Sequence, residues 1–212
     1  NPHQKSHFYL EKNKKLLWEQ LNGKELSYNN YFDIESAINI VFEFDECVCS
    51  IIKHSNPCGF GIGKDNIEAY KNAVSTDPIS YFGGIVGFNN KVDKNVAIEI
   101  NKSFLECIVA PSFSKEAVDI LSKKKNLRLI KINKEDYRNN SNKNMFRTVF
   151  NGVLMQEKDQ YIKDFNNFTV VTKRKPNKNE YNSLLLGWKL VKFVKSNAIV
   201  FSNDEKLLGV GA

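Results

Sequence analysis

Lys53 and His54 stand side by side at the end of an apolar run, and an ammonium beside an imidazole is an acid–base pair. Imidazole titrates nearest neutrality and can take a proton, while the lysine stays cationic and can hold an oxyanion or protonate a leaving group. The run before them, Val48 to Ile52 with Cys49 and Ser50 inside it, reads as a buried strand. Open α/β sheets present reactive groups at the carboxyl ends of such strands. Ser55, Asn56, Pro57, Cys58 and Gly59 follow. Small polar residues and a proline predict a tight turn into a helix N-terminus, which favours anions. The segment therefore predicts an acid–base pair beside an anion pocket. Neighbours on a regular strand face opposite ways, so the pair needs a break in strand geometry, which a turn at Ser55-Asn56-Pro57 would supply. An arbitrary Lys-His pair is more often a surface lysine and a packed histidine.

Other polar residues sit where elements begin or end. Asn197 follows a long helical pattern and a basic run, a helix C-cap position. Asn30 precedes an apolar helical pattern, an N-cap position. Phe82 and Gly83 join a ring that can stack to a residue that permits close backbone approach, or form an ordinary turn. Glu106 is a charge at a strand end.

The elements that must position these residues follow from periodicity. Tyr31 to Phe44 has helical spacing through Ile34, Ala37, Ile38, Val41 and Phe42. Glu46 to Ile52 is a strand, Asp65 to Ser75 a helix, Gly84 to Phe88 a strand, and Val92 to Phe104 a helix with Val92, Val96, Ile100 and Phe104 inward. Cys107 to Ala110 is a strand, Ser114 caps a helix, and Leu127 to Ile132 is a strand. This alternation predicts a layered α/β domain with a substantially parallel sheet. Lys134 to Asn144 lacks a period and predicts a surface loop. Thr148 to Leu154 and Phe168 to Thr172 predict strands, and Lys178 to Lys195 a helix with Tyr181, Leu184, Leu185, Trp188 and Val191 inward. Ala198 to Phe201 and Leu207 to Val210 predict strands around an Asn203-Asp204 turn. The glycine-rich apolar end, Gly209 to Ala212, predicts a piece of a longer protein.

The 212 residues are enough for one large domain or two small ones, and the 42% hydrophobic content fits a globular chain. No apolar run approaches the ~20 residues of a membrane helix. Cys47 and Cys49 would share a strand face, too parallel for a good disulfide, so reduced thiols and a cytoplasmic setting are expected. The net charge of +7 raises a nucleic-acid partner, but the excess is diffuse and mostly lysine. A solvated Lys-rich surface is the better reading, so neither nucleic acid nor membrane is expected as a partner. A basic pocket for a phosphorylated small molecule fits too.

Several segments, in order, resemble the bifunctional purine-biosynthesis family that joins AICAR formyltransferase to IMP cyclohydrolase. They are Asn1 to Gln4 (NPHQ), Lys53 to Gly59 (KHSNPCG), Thr76 to Gly84 (TDPISYFGG), Glu106 to Pro111 (ECIVAP), Lys192 to Val200 (KFVKSNAIV) and Gly209 to Ala212. The resemblance implies two repeated lobes of cytidine-deaminase-like fold, with residues 1–145 as the first formyltransferase lobe and 146–212 as the truncated start of the second. No cyclohydrolase domain is represented. It implies formyl transfer from 10-formyltetrahydrofolate to the 5-amino group of AICAR, in a homodimer. Lys53 and His54 would be catalytic. Asn197, Phe82, Gly83, Glu106 and Asn30 would bind substrate. The deaminase zinc pattern is not met, because Pro57-Cys58 has no second cysteine three residues on, and no zinc is expected. A non-catalytic fragment of the same enzyme is the alternative, and a basic nucleic-acid-binding domain a more distant one.

Overall fold

Val48 to Ile52 are buried on both faces, and the rest of the molecule is layered around that strand. A computed structural model describes residues 3–159 and 168–212; Asn1 and Pro2 of the NPHQ segment lie outside the described residues. The elements run β1 (Glu19–Asn22), α1 (Tyr28–Val41), β2 (Val48–Lys53), β3 (Asn56–Ile62), α2 (Asn66–Val74), β4 (Ile85–Phe88), α3 (Lys94–Ile100), β5 (Cys107–Ala110), α4 (Lys115–Leu121) and β6 (Arg128–Lys131). Then come α5 (Lys134–Asn140), β7 (Asn144–Val149), β8 (Gly152–Glu157), α6 (Lys178–Val191), β9 (Ile199–Ser202) and β10 (Leu207–Gly211).

Six strands form one mixed sheet in the order β1-β6-β5-β4-β2-β3. Alternation along the strands divides the core in two. Val48, Ile52, Ile85, Cys107, Val109 and Ile130 face α1 and α6, which contribute Ile34, Ala37, Ile38, Val41, Leu186 and Leu190. Cys49, Ile51, Val86, Phe88, Ile108 and Leu129 face α2, α3 and α4, through Ala69, Ala73, Val96, Ile100, Ala117 and Leu121. The layered α/β class is as expected, but the sheet is less parallel. Only the β4–β5 and β5–β6 pairs are parallel; β1–β6, β2–β3 and β2–β4 are antiparallel. The cause is local. The chain turns straight back after β2 into β3, so α2 links β3 to β4 with β2 lying antiparallel between them.

Several boundaries differ from the sequence expectation. Helix α1 starts at Tyr28, because Ser27 and Asn30 form a reciprocal capping box. Helix α3 is shorter, and Phe104 lies beyond it, largely exposed rather than inward. The loop expected at Lys134 to Asn144 contains α5, whose anchors are polar. Lys134 Nζ donates to the Phe44 carbonyl at 2.9 Å, Arg138 to the Phe42 carbonyl at 2.6 Å, and the Tyr137 hydroxyl to Asn39 Oδ1 at 2.8 Å. A helix held this way shows no apolar period. Thr148 to Leu154 is not one strand but the turn and flanks of the β7–β8 hairpin, and Phe168 to Thr172 forms no strand. In α6 the buried stripe is Leu186, Gly187 and Leu190, leaving Leu184 and Trp188 exposed. Among the described residues no helix is long and apolar enough to cross a membrane.

Helix α2 lies directly on β3, and the glycines of that strand permit the approach. A Cβ built at Gly61 would stand 2.5 Å from the Ala69 carbonyl oxygen and from Asn72 Cβ. Gly61→Ala should therefore lower the unfolding free energy by about 1–3 kcal/mol, the usual range for overpacking. Urea denaturation followed by circular dichroism checks this; an unchanged midpoint would contradict the packing described.

Candidate functional site

Lys53 closes β2, and the chain reverses through His54 and Ser55 into β3, with Lys53 paired to Asn56. The expected turn into a helix N-terminus is thus a two-residue hairpin. Pro57 is accommodated because β3 is the edge strand of the sheet, where a missing N–H is tolerated. The break in strand geometry comes one residue earlier than expected. His54 and Ser55 have φ of +53° and +62°. Positive φ at both central residues matches the right-handed twist of a hairpin, but such turns usually carry Asn or Gly. Two L-residues with β-carbons sit here under strain, and such strain persists only where neighbours hold it.

Three groups hold it. Asp33 Oδ1, on α1, accepts from the Ser55 N–H at 2.6 Å and from the Ser55 hydroxyl at 3.3 Å. Lys195 Nζ donates to the His54 carbonyl at 2.8 Å, and the Lys195 N–H donates to Asn56 Oδ1 at 3.0 Å. His54 itself is exposed, while Lys53 is half-buried with Nζ donating to the Phe82 carbonyl at 3.1 Å.

The Phe82 and Gly83 turn reaches Lys53 from the other side. Asp77 folds the turn by accepting from the Ile79 and Ser80 N–H groups at 3.0 and 2.8 Å. Hydrogen bonds from Ser80, with smaller help from Lys53, hold the Asp77 carboxyl below its ordinary value. Gly83 has φ of +72°, and its N–H donates to the Phe104 carbonyl at 2.9 Å. The Phe82 ring is 60% exposed, tilted against Phe104 at 5.2 Å, so one of its faces remains available to a planar ligand.

Sheet register puts the remaining residues on the same end. Ile52 pairs with Ile85, Ile85 with Cys107, and Cys107 with Arg128. Glu106 therefore precedes β5 beside the start of β4, its N–H donating to the Gly84 carbonyl at 3.2 Å. Asn30 is buried in the first turn of α1, and its Nδ2 donates to Glu106 Oε2 at 3.3 Å. It is not the N-cap: Ser27 is, and Asn30 Oδ1 accepts from the Ser27 N–H at 3.0 Å. Asn197 follows Lys195 by two residues, so the contact between Lys195 and Asn56 brings its segment to the His54 turn; Asn197 is exposed. All seven expected residues thus gather at one end of the sheet. A cavity of about 960 Å³ lies elsewhere, between residues 6–18, α1 and α5, and none of the seven lines it.

Sequence reasoning missed Asp33, Asn56, Asp77 and Lys195. Asp33 had one available signal: it lies three residues after Asn30 and so shares a helix face with it. Lys195 and Asp77 were inside segments already singled out, but nothing in their spacing separates a residue that shapes a turn from one on the surface. Among the described residues, no group of three or more His, Cys, Asp or Glu side chains converges as a metal site would.

A family model described as the AICARFT/IMPCHase bienzyme matches residues 1–212. The bifunctional purine biosynthesis protein PurH of Bacillus cereus (strain AH187) is 47% identical over 216 residues, covering 100% of this chain and 42% of that protein. The protein of the same name from Bacillus cytotoxicus is 48% identical with the same coverage, and one from Bacillus anthracis is 47% identical. The chain thus spans about 42% of the length of the curated relatives it matches.

Cys58 is the one thiol of the KHSNPCG segment. Its thiol donates to the Ile51 carbonyl at 3.5 Å, and burial pushes its pKa up to about 11. A raised thiol pKa leaves little thiolate near neutrality. Iodoacetamide at pH 8 should alkylate Cys58 at least about tenfold more slowly than a free cysteine, since thiolate fraction sets that rate. Peptide mass mapping over a time course reads this; labelling at the free-thiol rate would contradict the burial.

Proposed function

The chain belongs to the AICARFT/IMPCHase bienzyme family, and on that premise we propose that it carries the reacting end of a formyltransferase site. The reaction is transfer of a formyl group from 10-formyltetrahydrofolate to the 5-amino group of AICAR, giving formyl-AICAR in purine biosynthesis. The observation that carries this reading is the gathering of Lys53, His54, Phe82, Gly83, Glu106, Asn30 and Asn197 at one end of the sheet, from five separate stretches of sequence.

The chemistry suits these groups. The AICAR amine is conjugated to an imidazole carboxamide and is a poor nucleophile. As its nitrogen bonds to the formyl carbon, His54 takes the proton that the amine must lose. Lys53, poised by the Phe82 carbonyl, offers a cation to the oxygen that becomes negative in the tetrahedral intermediate. The bond from the formyl carbon to the folate nitrogen then breaks, and that nitrogen leaves with a proton supplied by His54 or Lys53. The Phe82 ring and the close backbone at Gly83 suit the flat heterocycle. Asn197 and Asn30 offer amide groups to its carboxamide or to the reacting atoms, and Glu106 orients Asn30.

In this proposal residues 1–145 form the first formyltransferase lobe, of cytidine-deaminase-like fold, and 146–212 begin the second. The six-stranded sheet is complete by Lys131, and β9 and β10 form a separate sheet, which supports the division. The same proposal includes a homodimer in the cytoplasm. All four cysteines are free thiols, which suits a reducing compartment. Turnover is assigned to the complete polypeptide, because the relatives are more than twice as long as this chain.

His54→Ala in the complete polypeptide should cut formyl transfer by about 10²-fold or more, the range for loss of a positioned general base. AICAR affinity should stay within about threefold, because binding rests on other groups. Steady-state kinetics with calorimetric AICAR titration measures both. Turnover near that of the unaltered protein would overturn the assignment.

A further inference from the structure

We infer that Asp33 is a positioning residue for His54, acting through Ser55; the inference rests on the formyl transfer proposed above. A hairpin turn with positive φ at both central residues is easily made by Asn-Gly, whereas His54-Ser55 occupies it at a conformational cost. Such a turn keeps its shape only if it is tied down. Asp33 Oδ1 receives two donors from Ser55, and the 2.6 Å contact with the backbone N–H is the shorter. A charge-assisted bond of that length is among the stronger ties a side chain can make.

Among the described residues nothing else calls for a carboxylate at this position. The N-cap of α1 is already supplied by Ser27, and among the described residues no ion pair includes Asp33. Asp33 also stands three residues after Asn30, so successive turns of one helix face hold Glu106 and Ser55. Helix α1 thus serves as a common ruler: one turn sets the amide that faces Glu106, and the next sets the turn that aims the imidazole. The contacts of Lys195 with His54 and Asn56 tie the same turn from its other side, but through residues beyond the sheet. Loss of the Asp33 acceptor frees the Ser55 N–H, lets the turn relax toward ordinary φ, and moves the His54 side chain. A displacement of about 1 Å at a reacting group costs roughly 10²-fold in rate.

The test uses the complete polypeptide with Asp33→Ala, Asp33→Asn and Asp33→Glu, beside His54→Ala. Asparagine keeps an acceptor at the same distance from the backbone, whereas glutamate moves it by one methylene. The expected result is a fall in kcat of roughly 10²-fold for Asp33→Ala and Asp33→Glu. Asp33→Asn should retain kcat within about tenfold of the unaltered protein, and AICAR affinity should stay within about threefold in all three. Thermal unfolding confirms that each variant is folded; Asp33→Glu and Asp33→Asn decide the question should the alanine variant fail to fold. Asp33 variants that turn over normally while His54→Ala is inactive overturn the positioning role alone. Asp33→Asn as damaged as Asp33→Glu overturns it too, because the acceptor is then not what matters. Normal turnover by His54→Ala removes the function proposed above, and the inference with it.

Discussion

A strand buried on both faces can carry polar chemistry only at its ends. Strand β2 is in that position: Cys49 and Ile51 face one helical layer, Val48 and Ile52 the other, and even Ser50 must return its hydroxyl to the Ala37 carbonyl at 3.3 Å. Within the strand the charged side chain is therefore confined to the end, at Lys53. Because β4, β5 and β6 are in register with β2 and with one another, their preceding loops arrive at the same end. The candidate site is a consequence of that register, and the helices on the two faces supply what the loops cannot. Helix α1 reaches in with Asn30 and Asp33, and the segment after α6 reaches in with Lys195 and Asn197.

The structure shows which parts of this were legible in the sequence. A short apolar run closed by a proline marked β5 with both ends correct, apolar spacing located α2, and the Ser114 cap located α4. What the sequence concealed was direction. A strand followed by Ser, Asn and Pro reads equally well as the entry to a helix or as a hairpin, and the partners that hold the hairpin are distant in sequence: Asp33 lies 22 residues from Ser55, and Lys195 141 residues from His54. Local pattern carries no record of such a partner. Helix α5 was hidden for a related reason: its anchors are a lysine, an arginine and a tyrosine hydroxyl, so hydrophobic periodicity does not mark it. Of the candidate site, the residue types and their order could be read along the chain, whereas the contacts between them could not.

The β7–β8 hairpin stands apart from this economy of burial. Phe146 pairs with Met155 and Thr148 with Val153, so these side chains share one face, and all of β8 is exposed. Two strands alone are marginally stable in water. The ion pair of Lys158 with Glu35 at 2.7 Å ties the base of this hairpin to α1.

The glycines of β3 and the one just after it have a different kind of consequence. The atoms that a side chain at Gly59, in the strand, or Gly63, one residue beyond it, would meet first belong to the backbone of α2 and its cap: Ala73 for the one, Ala69, Asp65 and Glu68 for the other. A clash with a side chain can be relieved by trimming the partner, and cores drift in sequence by such paired exchanges. A clash with main-chain atoms has no such partner, because every amino acid brings the same backbone. These positions are closed to compensation from elsewhere in the helix. Any lineage or library that loses one of these glycines must move α2 as a whole, which makes the contact between this strand and its helix among the least negotiable features of the molecule.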